Sequence, residues 1–338
     1  MQKRGKKISV ILLLIILTII GLYIFTRKEV PSESKIRPES DSTSLKLAVL
    51  PTVECLPFYV AKECGISDSL GLKIKLLEYT SSMDADTAFI NKRADGIVSD
   101  MIKASIYQSE GDSVSVIMGG NIDLSLITSR QSRITDIKGL KDKIISITRH
   151  SILDIFCDKI IVMGSKDSLE LNTPQINSIL VRQNMILQNQ IDGGILPEPY
   201  ASICLSKGCN LISKMSDIKE YKGMLAIIFN DSIISSKPNE LTKLIEAYNL
   251  SVDYINANKT KYKHKLLSLL SISDSISDNT YKIPDFTHAI LPSSSALNLS
   301  HQLLLPKNIL GKKTKTDIFN NSFISSDSLS NVTNNKNK

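Results

Sequence analysis

Between Leu45 and Phe229, short apolar runs alternate with helical patterns, and this alternation limits the fold more than any other feature of the chain. LKLAVL (45–50) reads as a buried strand, and Pro57 to Gly65 as a helix closed by glycine. LKIKLLEY (72–79) alternates like a strand, Met83 to Lys92 is helical, and GIVS (96–99) is a short strand. Ile102 to Ser109 is a helix and Val114 to Met118 a strand. A strand-helix-strand-helix order implies a mainly parallel sheet covered by helices.

A second series follows. Leu124 to Thr128 and Lys143 to Ile147 read as strands and Ser151 to Val162 as a helix. INSILV (176–181) reads as a strand, Asn184 to Gln190 as a helix, GGILP as a strand end and Leu225 to Phe229 as a strand. From Pro238 a long helical stretch begins. Leu241, Leu244, Ile245, Tyr248, Val252 and Ile255 share one of its faces. No fixed-period repeat is present.

The ends differ from this body. Lys3, Arg4, Lys6 and Lys7 precede ISVILLLIILTIIGLYIF (8–25), which carries no charge. About 18 residues make about 27 Å of helix, close to the hydrocarbon thickness of a bilayer. The basic flank stays in the cytoplasm, so the body is expected outside. An uncleaved anchor fits better than a cleaved signal, because no A-x-A-like site precedes the linker. No cysteine follows the apolar run, which argues against a lipid anchor. Residues 27–44, rich in Ser and Pro with balanced charge, read as a linker, and the Asn/Ser/Lys-rich chain from about Asn320 reads as a disordered tail.

The formal charge of +7 is therefore not a property of the body. It collects before residue 26 and after residue 306, and leaves the middle near neutral. A nucleic-acid binder carries its basic face on the folded domain, so no nucleic-acid partner is expected. Five cysteines (55, 64, 157, 204 and 209) form no C-x-x-C or metal spacing, and the four histidines are scattered. No metal or cofactor is expected. Cys204 and Cys209 lie close enough to bridge a helix end to the next segment, and equally suit the role of ordinary buried small residues.

Four stretches, taken in order, resemble the periplasmic solute-binding proteins of ABC importers, of the nitrate, sulfonate, taurine and thiamine-precursor type. They are LAVLPTVECLPFYVAKECGISDSLGLKIKLLEY, ADGIVSD, ITDIKGLKDKIISITRHSILDIF and QIDGGILPEPYAS. SSKPNELTKLIEAYNLSVDYINANKTKY is similar to the family's closing helices. The resemblance covers about Leu45 to Lys265. It implies an α/β, two-lobed, periplasmic-binding-protein-like fold of type II, with parallel-rich sheets, helices on both faces and two hinge crossovers. Lobe one would comprise 45–122 plus 228–319 and lobe two 123–227, with hinge strands at Asp123 to Thr128 and Met224 to Phe229. The implied partners are a small-molecule ligand, an ABC permease with its ATPase, and the membrane through residues 8–25. The implied protein is a monomer on the extracytoplasmic face.

Ligands of open α/β sheets bind outside the carboxyl ends of the strands, and the helix N-termini there suit an anion or polar head group. That rule selects Pro51, Thr52 and Glu54 after the first strand. It also selects Asp100, which doubles as a helix N-cap, and Arg149, His150 and Ser151. Glu198 lies between two prolines, where the helix dipole alone favours an acid. The family often has Gly-Ser where this chain has Arg149 and His150. Arg149 would pair with a carboxylate, sulfonate or phosphate. With Arg149 and Glu198 both in the cleft, a zwitterionic or amide-bearing ligand would fit. Two rival functions share the fold. One is a thiamine-pyrimidine-synthase-like enzyme, but this chain lacks that class's cysteine-rich cluster and shows no hydrolase, P-loop or H-E-x-x-H motif. The other is a membrane-anchored ligand-sensing ectodomain. The expectation is a binding protein, not an enzyme.

Overall fold

The computed structural model describes residues 44–164, 170–269, 281–310 and 318–324. The apolar run 8–25 lies outside them, as does the linker up to Thr43. Among the described residues no helix is long and apolar enough to cross a membrane.

In chain order the elements are β1 (Leu45–Val49), α1 (Leu56–Glu63), α2 (Ile66–Ser69), β2 (Ile74–Glu78), α3 (Ser82–Ile90), β3 (Gly96–Asp100), α4 (Met101–Glu110) and β4 (Val114–Gly120). There follow β5 (Leu124–Thr128), β6 (Ile145–Ser146), α5 (Ile152–Gly164), α6 (Ile179–Leu187), β7 (Gly193–Pro197), α7 (Tyr200–Ser206) and β8 (Asn210–Lys214). The chain closes with β9 (Leu225–Asn230), α8 (Asp231–Ser236), α9 (Pro238–Ala257), α10 (Lys259–Leu269) and α11 (Ser294–Leu304).

The strands form two sheets, ordered β2-β1-β3-β9-β4 and β6-β7-β5-β8. β1 runs parallel to β2 and β3, and β6 parallel to β7. One strand in each sheet opposes its neighbours. β9 is antiparallel to β3 and β4, and β5 is antiparallel to β7 and β8. Each is the first strand laid down after the chain changes sheet, since the chain leaves the first sheet after Gly120 and the second after Lys214. Both are mostly apolar, LSLIT and LAIIFN, and buried along nearly their whole length, as central strands covered on two faces are.

Helices α1 and α9 cover one face of the first sheet, where the rings of Phe58 and Tyr248 sit 5.3 Å apart. Helices α4 and α11 cover the other and are joined by the buried Ser105–Ser300 hydroxyl pair at 2.7 Å. In the second sheet, α6 and α7 pack on Ile127 and Leu196 through Ile179, Ile186 and Tyr200. Residues 318–324, which include the start of the expected tail, lie along β4, where the Val116 amide donates to the Ile318 carbonyl at 2.8 Å.

Two expected elements are corrected. INSILV is not a strand: Ser178 caps α6, its hydroxyl accepting from the Val181 amide, and Ile179 already lies in the helix. The serine cap and the buried side of α6 (Ile179, Arg182, Gln183, Ile186) override the β-branched look of the run. The long helix from Pro238 also breaks, at Asn258, where α10 begins.

Candidate functional site

Between the two sheets lies a cavity of ≈ 730 Å³ of empty space, part of it open to solvent. Its walls come from the carboxyl ends of β1, β3, β6 and β7 (Leu50, Asp100, Thr148, Pro197) and from the amino ends of the two opposed strands (Leu124, Leu225). Every strand that reaches the cavity therefore turns the same end of its sheet toward it.

The side built on the first sheet is acidic. Asp100 ends β3 and caps α4, its Oδ1 accepting from the Lys103 amide at 3.0 Å. Its Oδ2 faces the Ile152 amide of α5, on the second sheet, at 3.5 Å. Burial pushes its carboxyl up to about 6 despite those amides. Glu54 is 7% exposed and accepts from the Asp123 amide at 3.5 Å. Burial raises it to about 7. Thr52 stands beside it, its hydroxyl toward Cys55 Sγ at 3.9 Å. Deeper in, Lys103 pairs with Asp86 at 2.7 Å, and the Tyr107 hydroxyl donates to the same carboxylate at 2.5 Å.

The side built on the second sheet is cationic. Arg182, one turn into α6, is 2% exposed. Its Nη1 donates to the Ile176 carbonyl at 2.5 Å and to Thr148 Oγ1 at 3.3 Å, and its buried Nε has no partner. Among the described residues no carboxylate pairs with it. Burial alone lowers it to about 10, so it stays charged at neutral pH. Its stem runs across Gly194, where a Cβ would collide with Ser146 Oγ and crowd Arg182 Cγ at 3.2 Å. That close approach explains a glycine inside β7. Ser151 completes this side. Its hydroxyl donates to the Thr148 carbonyl at 2.7 Å and accepts from the Leu153 amide at 3.2 Å, capping α5.

The structure thus gathers Thr52, Glu54, Asp100 and Ser151 around one cavity. Pro51, Arg149, His150 and Glu198 are not among its lining residues. Arg149 is exposed and donates to the Thr173 carbonyl at 3.0 Å. His150 is exposed in a left-handed turn, φ 53°, its amide donating to Asp154 at 3.2 Å. Glu198 accepts from the Ser202 amide at 3.2 Å in the first turn of α7, and burial raises its carboxyl. Sequence reasoning missed Arg182. Once INSILV is read as a strand, the arginine falls in a connection. A serine followed by Ile179, Arg182, Gln183 and Ile186 at helical spacing was the available signal.

Hydrogen bonds cross from one side to the other around the cavity. The Val53 amide donates to the Glu198 carbonyl at 3.2 Å, and the Ile179 amide to the Thr80 carbonyl at 3.2 Å. Ser81 and Ser178, the N-caps of α3 and α6, face one another in an isolated antiparallel bridge.

Two sheets exchanged by paired crossovers, with the cavity at their facing strand ends, define a two-lobed periplasmic-binding-protein fold of type II. A model of the family described as NMT1/THI5 like matches residues 52–261, well over half of the chain, and the protein belongs to that family. Solved structures share the fold at low identity. The alkanesulfonate-binding protein SsuA from Xanthomonas axonopodis pv. citri, bound to MOPS, is 12% identical, with 80% of this chain and 96% of that one covered and a TM-score of 0.67. The periplasmic nitrate-binding protein NrtA from Synechocystis PCC 6803 is 12% identical over 81% and 84%, TM-score 0.66. The ligand-binding component of an ABC-type import system from Staphylococcus aureus, with zinc bound, is 12% identical over 83% and 97%, TM-score 0.64. No curated protein matches the chain by sequence.

Proposed function

We propose that this protein is the extracytoplasmic solute-binding component of an ABC importer, held at the membrane by residues 8–25, and that it binds a small organic anion in the interlobe cavity and delivers it to the permease. Family membership and the fold shared with import-system binding proteins support the class. The observation that carries the ligand charge is Arg182, a buried guanidinium facing the cavity without a carboxylate partner. An uncompensated buried charge costs several kcal/mol, and a ligand carboxylate, sulfonate or phosphate offsets that cost by bidentate pairing. At the other end Glu54 and Asp100 present acceptors, which favour an anion that also carries an N–H or ammonium group. The expected boundary at 227/228 would cut β9, so lobe one is taken as 45–122 plus 225–319 and lobe two as 123–224, which keeps Leu225–Asn230 in the first sheet. The lobes close about the connections between β4 and β5 and between β8 and β9. Arg149, His150, Pro51 and Glu198 then serve the rim or an open form.

Calorimetry of the full-length protein against small carboxylates, sulfonates and phosphates tests the reading. One class should bind, and Arg182→Ala should weaken it roughly 30-fold or more. A neutral solute bound tightly by both wild type and Arg182→Ala would refute it.

A further inference from the structure

Away from the interlobe cavity, α7 ends in a glycine-closed turn that holds two cysteines together. Gly208 is left-handed at φ 87°. Its amide donates to the Leu205 carbonyl at 3.0 Å, and the Cys209 amide donates to the Cys204 carbonyl at 3.1 Å. That pair of bonds is the Schellman motif, and Cys204 and Cys209 occupy the two positions whose side chains the motif brings into contact. Each thiol shifts the other's titration, Cys204 upward and Cys209 downward. Main-chain bonds therefore hold the two cysteines side by side across one turn, the proximity on which a disulfide depends.

The two sulfurs differ. Cys204 is fully buried against Ile127, Tyr200 and Ala201, and the neighbouring Cys209 thiol, with burial, holds its thiol well above the usual range. Cys209 lies in the wall of an open cavity of ≈ 1420 Å³ that it shares with Arg130, Arg133, Lys207, Gln131 and Asn189. The Cys204 thiol, the Arg130 amide and the Lys207 charge all favour its thiolate and hold it below the usual thiol range. Arg130, Arg133 and Lys207 are exposed, and none is ion-paired among the described residues. A nucleophilic thiolate, a resolving thiol and three free cations share one face. A structural pair of buried cysteines needs neither the cations nor the opening.

We propose that Cys204 and Cys209 form a redox-active dithiol, oxidised to an intramolecular disulfide by a small acidic disulfide that the basic cavity attracts. Cys209 loses its proton to solvent, and the thiolate attacks one sulfur of the small disulfide. A mixed disulfide forms, and the first thiolate leaves and takes up a proton. Cys204 Sγ then attacks Cys209 Sγ and its proton passes to the second departing thiolate. The small disulfide is reduced to two thiols, and the protein loses two hydrogens.

Oxidised glutathione, an acidic disulfide, is the probe. The reduced full-length protein should lose two hydrogens at near-neutral pH, with peptide mapping joining Cys204 to Cys209. Cys204→Ser should instead retain one glutathionyl group on Cys209. Reversing Arg130 and Lys207 to Glu should slow oxidation by glutathione disulfide roughly tenfold while leaving the rate with uncharged hydroxyethyl disulfide unchanged. The exposed Cys64 is the internal reference. Glutathionylation of Cys64 with both Cys204 and Cys209 still reduced in the wild type overturns the proposal, and so do equal rates for the two disulfides that charge reversal does not change.

Discussion

The two sides of the interlobe cavity handle buried charge in opposite ways. On the first sheet, Asp100 and Glu54 are held by main-chain amides and Asp86 by Lys103 and Tyr107. On the second, Arg182 has two neutral acceptors and a buried Nε without a partner. The acidic groups each have a partner within the protein, although burial still raises Asp100 and Glu54. The cationic side is left incomplete, and incompleteness at a cavity wall is how a folded protein reserves binding energy for a ligand.

Three substitutions break or sharpen that contrast. Arg182→Met removes an unpaired charge and keeps the stem that packs over Gly194. The ligand-free protein should gain about 1–4 kcal/mol while the thermal shift produced by the ligand disappears; chemical denaturation with and without ligand measures both. A loss of ligand-free stability would place Arg182 with the structural groups instead. Glu54→Gln comes next. The folded carboxyl titrates near 7, above its ordinary 4.5, so its contribution to stability is full below the unfolded value and is lost as pH rises toward 7. The wild type should lose about 2–3 kcal/mol across that window, and Glu54→Gln should flatten the curve and be the more stable of the two at pH above 7. Parallel slopes in urea melts over this range would refute it. Asp100→Ala has the smallest effect and the opposite sign to Arg182→Met. Losing the α4 cap should lower stability by about 1 kcal/mol in the same melts.

The acidic side was legible in the sequence, whereas on the cationic side only Ser151 was. Asp100 and Ser151 each follow an apolar strand and open a helix, so a strand-end rule finds them without coordinates. Thr52 and Glu54 follow the same logic after β1. Arg182 sits four residues past its cap in a run whose apolar members satisfy both a strand and a helix, and only the packing of α6 on β7 decides between them. Arg149 was the more conspicuous arginine because it follows a strand directly, yet the left-handed turn at His150 and the bond to Thr173 carry it outward. The alternation of elements foretold a parallel-rich sheet covered by helices, and the family resemblance implied two lobes. Neither foretold that β9 enters between β3 and β4, a pairing over more than a hundred residues that no local pattern encodes.

That insertion sets an order of events during synthesis. The second sheet is built from one continuous stretch and is complete once Lys214 has emerged, whereas β3 and β4 each keep an open edge until Leu225–Asn230 arrives between them. The first lobe is thus a half-finished sheet for the whole time the second is being made. A nascent chain in that condition presents unpaired strand edges and is vulnerable to aggregation for as long as the last strand is delayed.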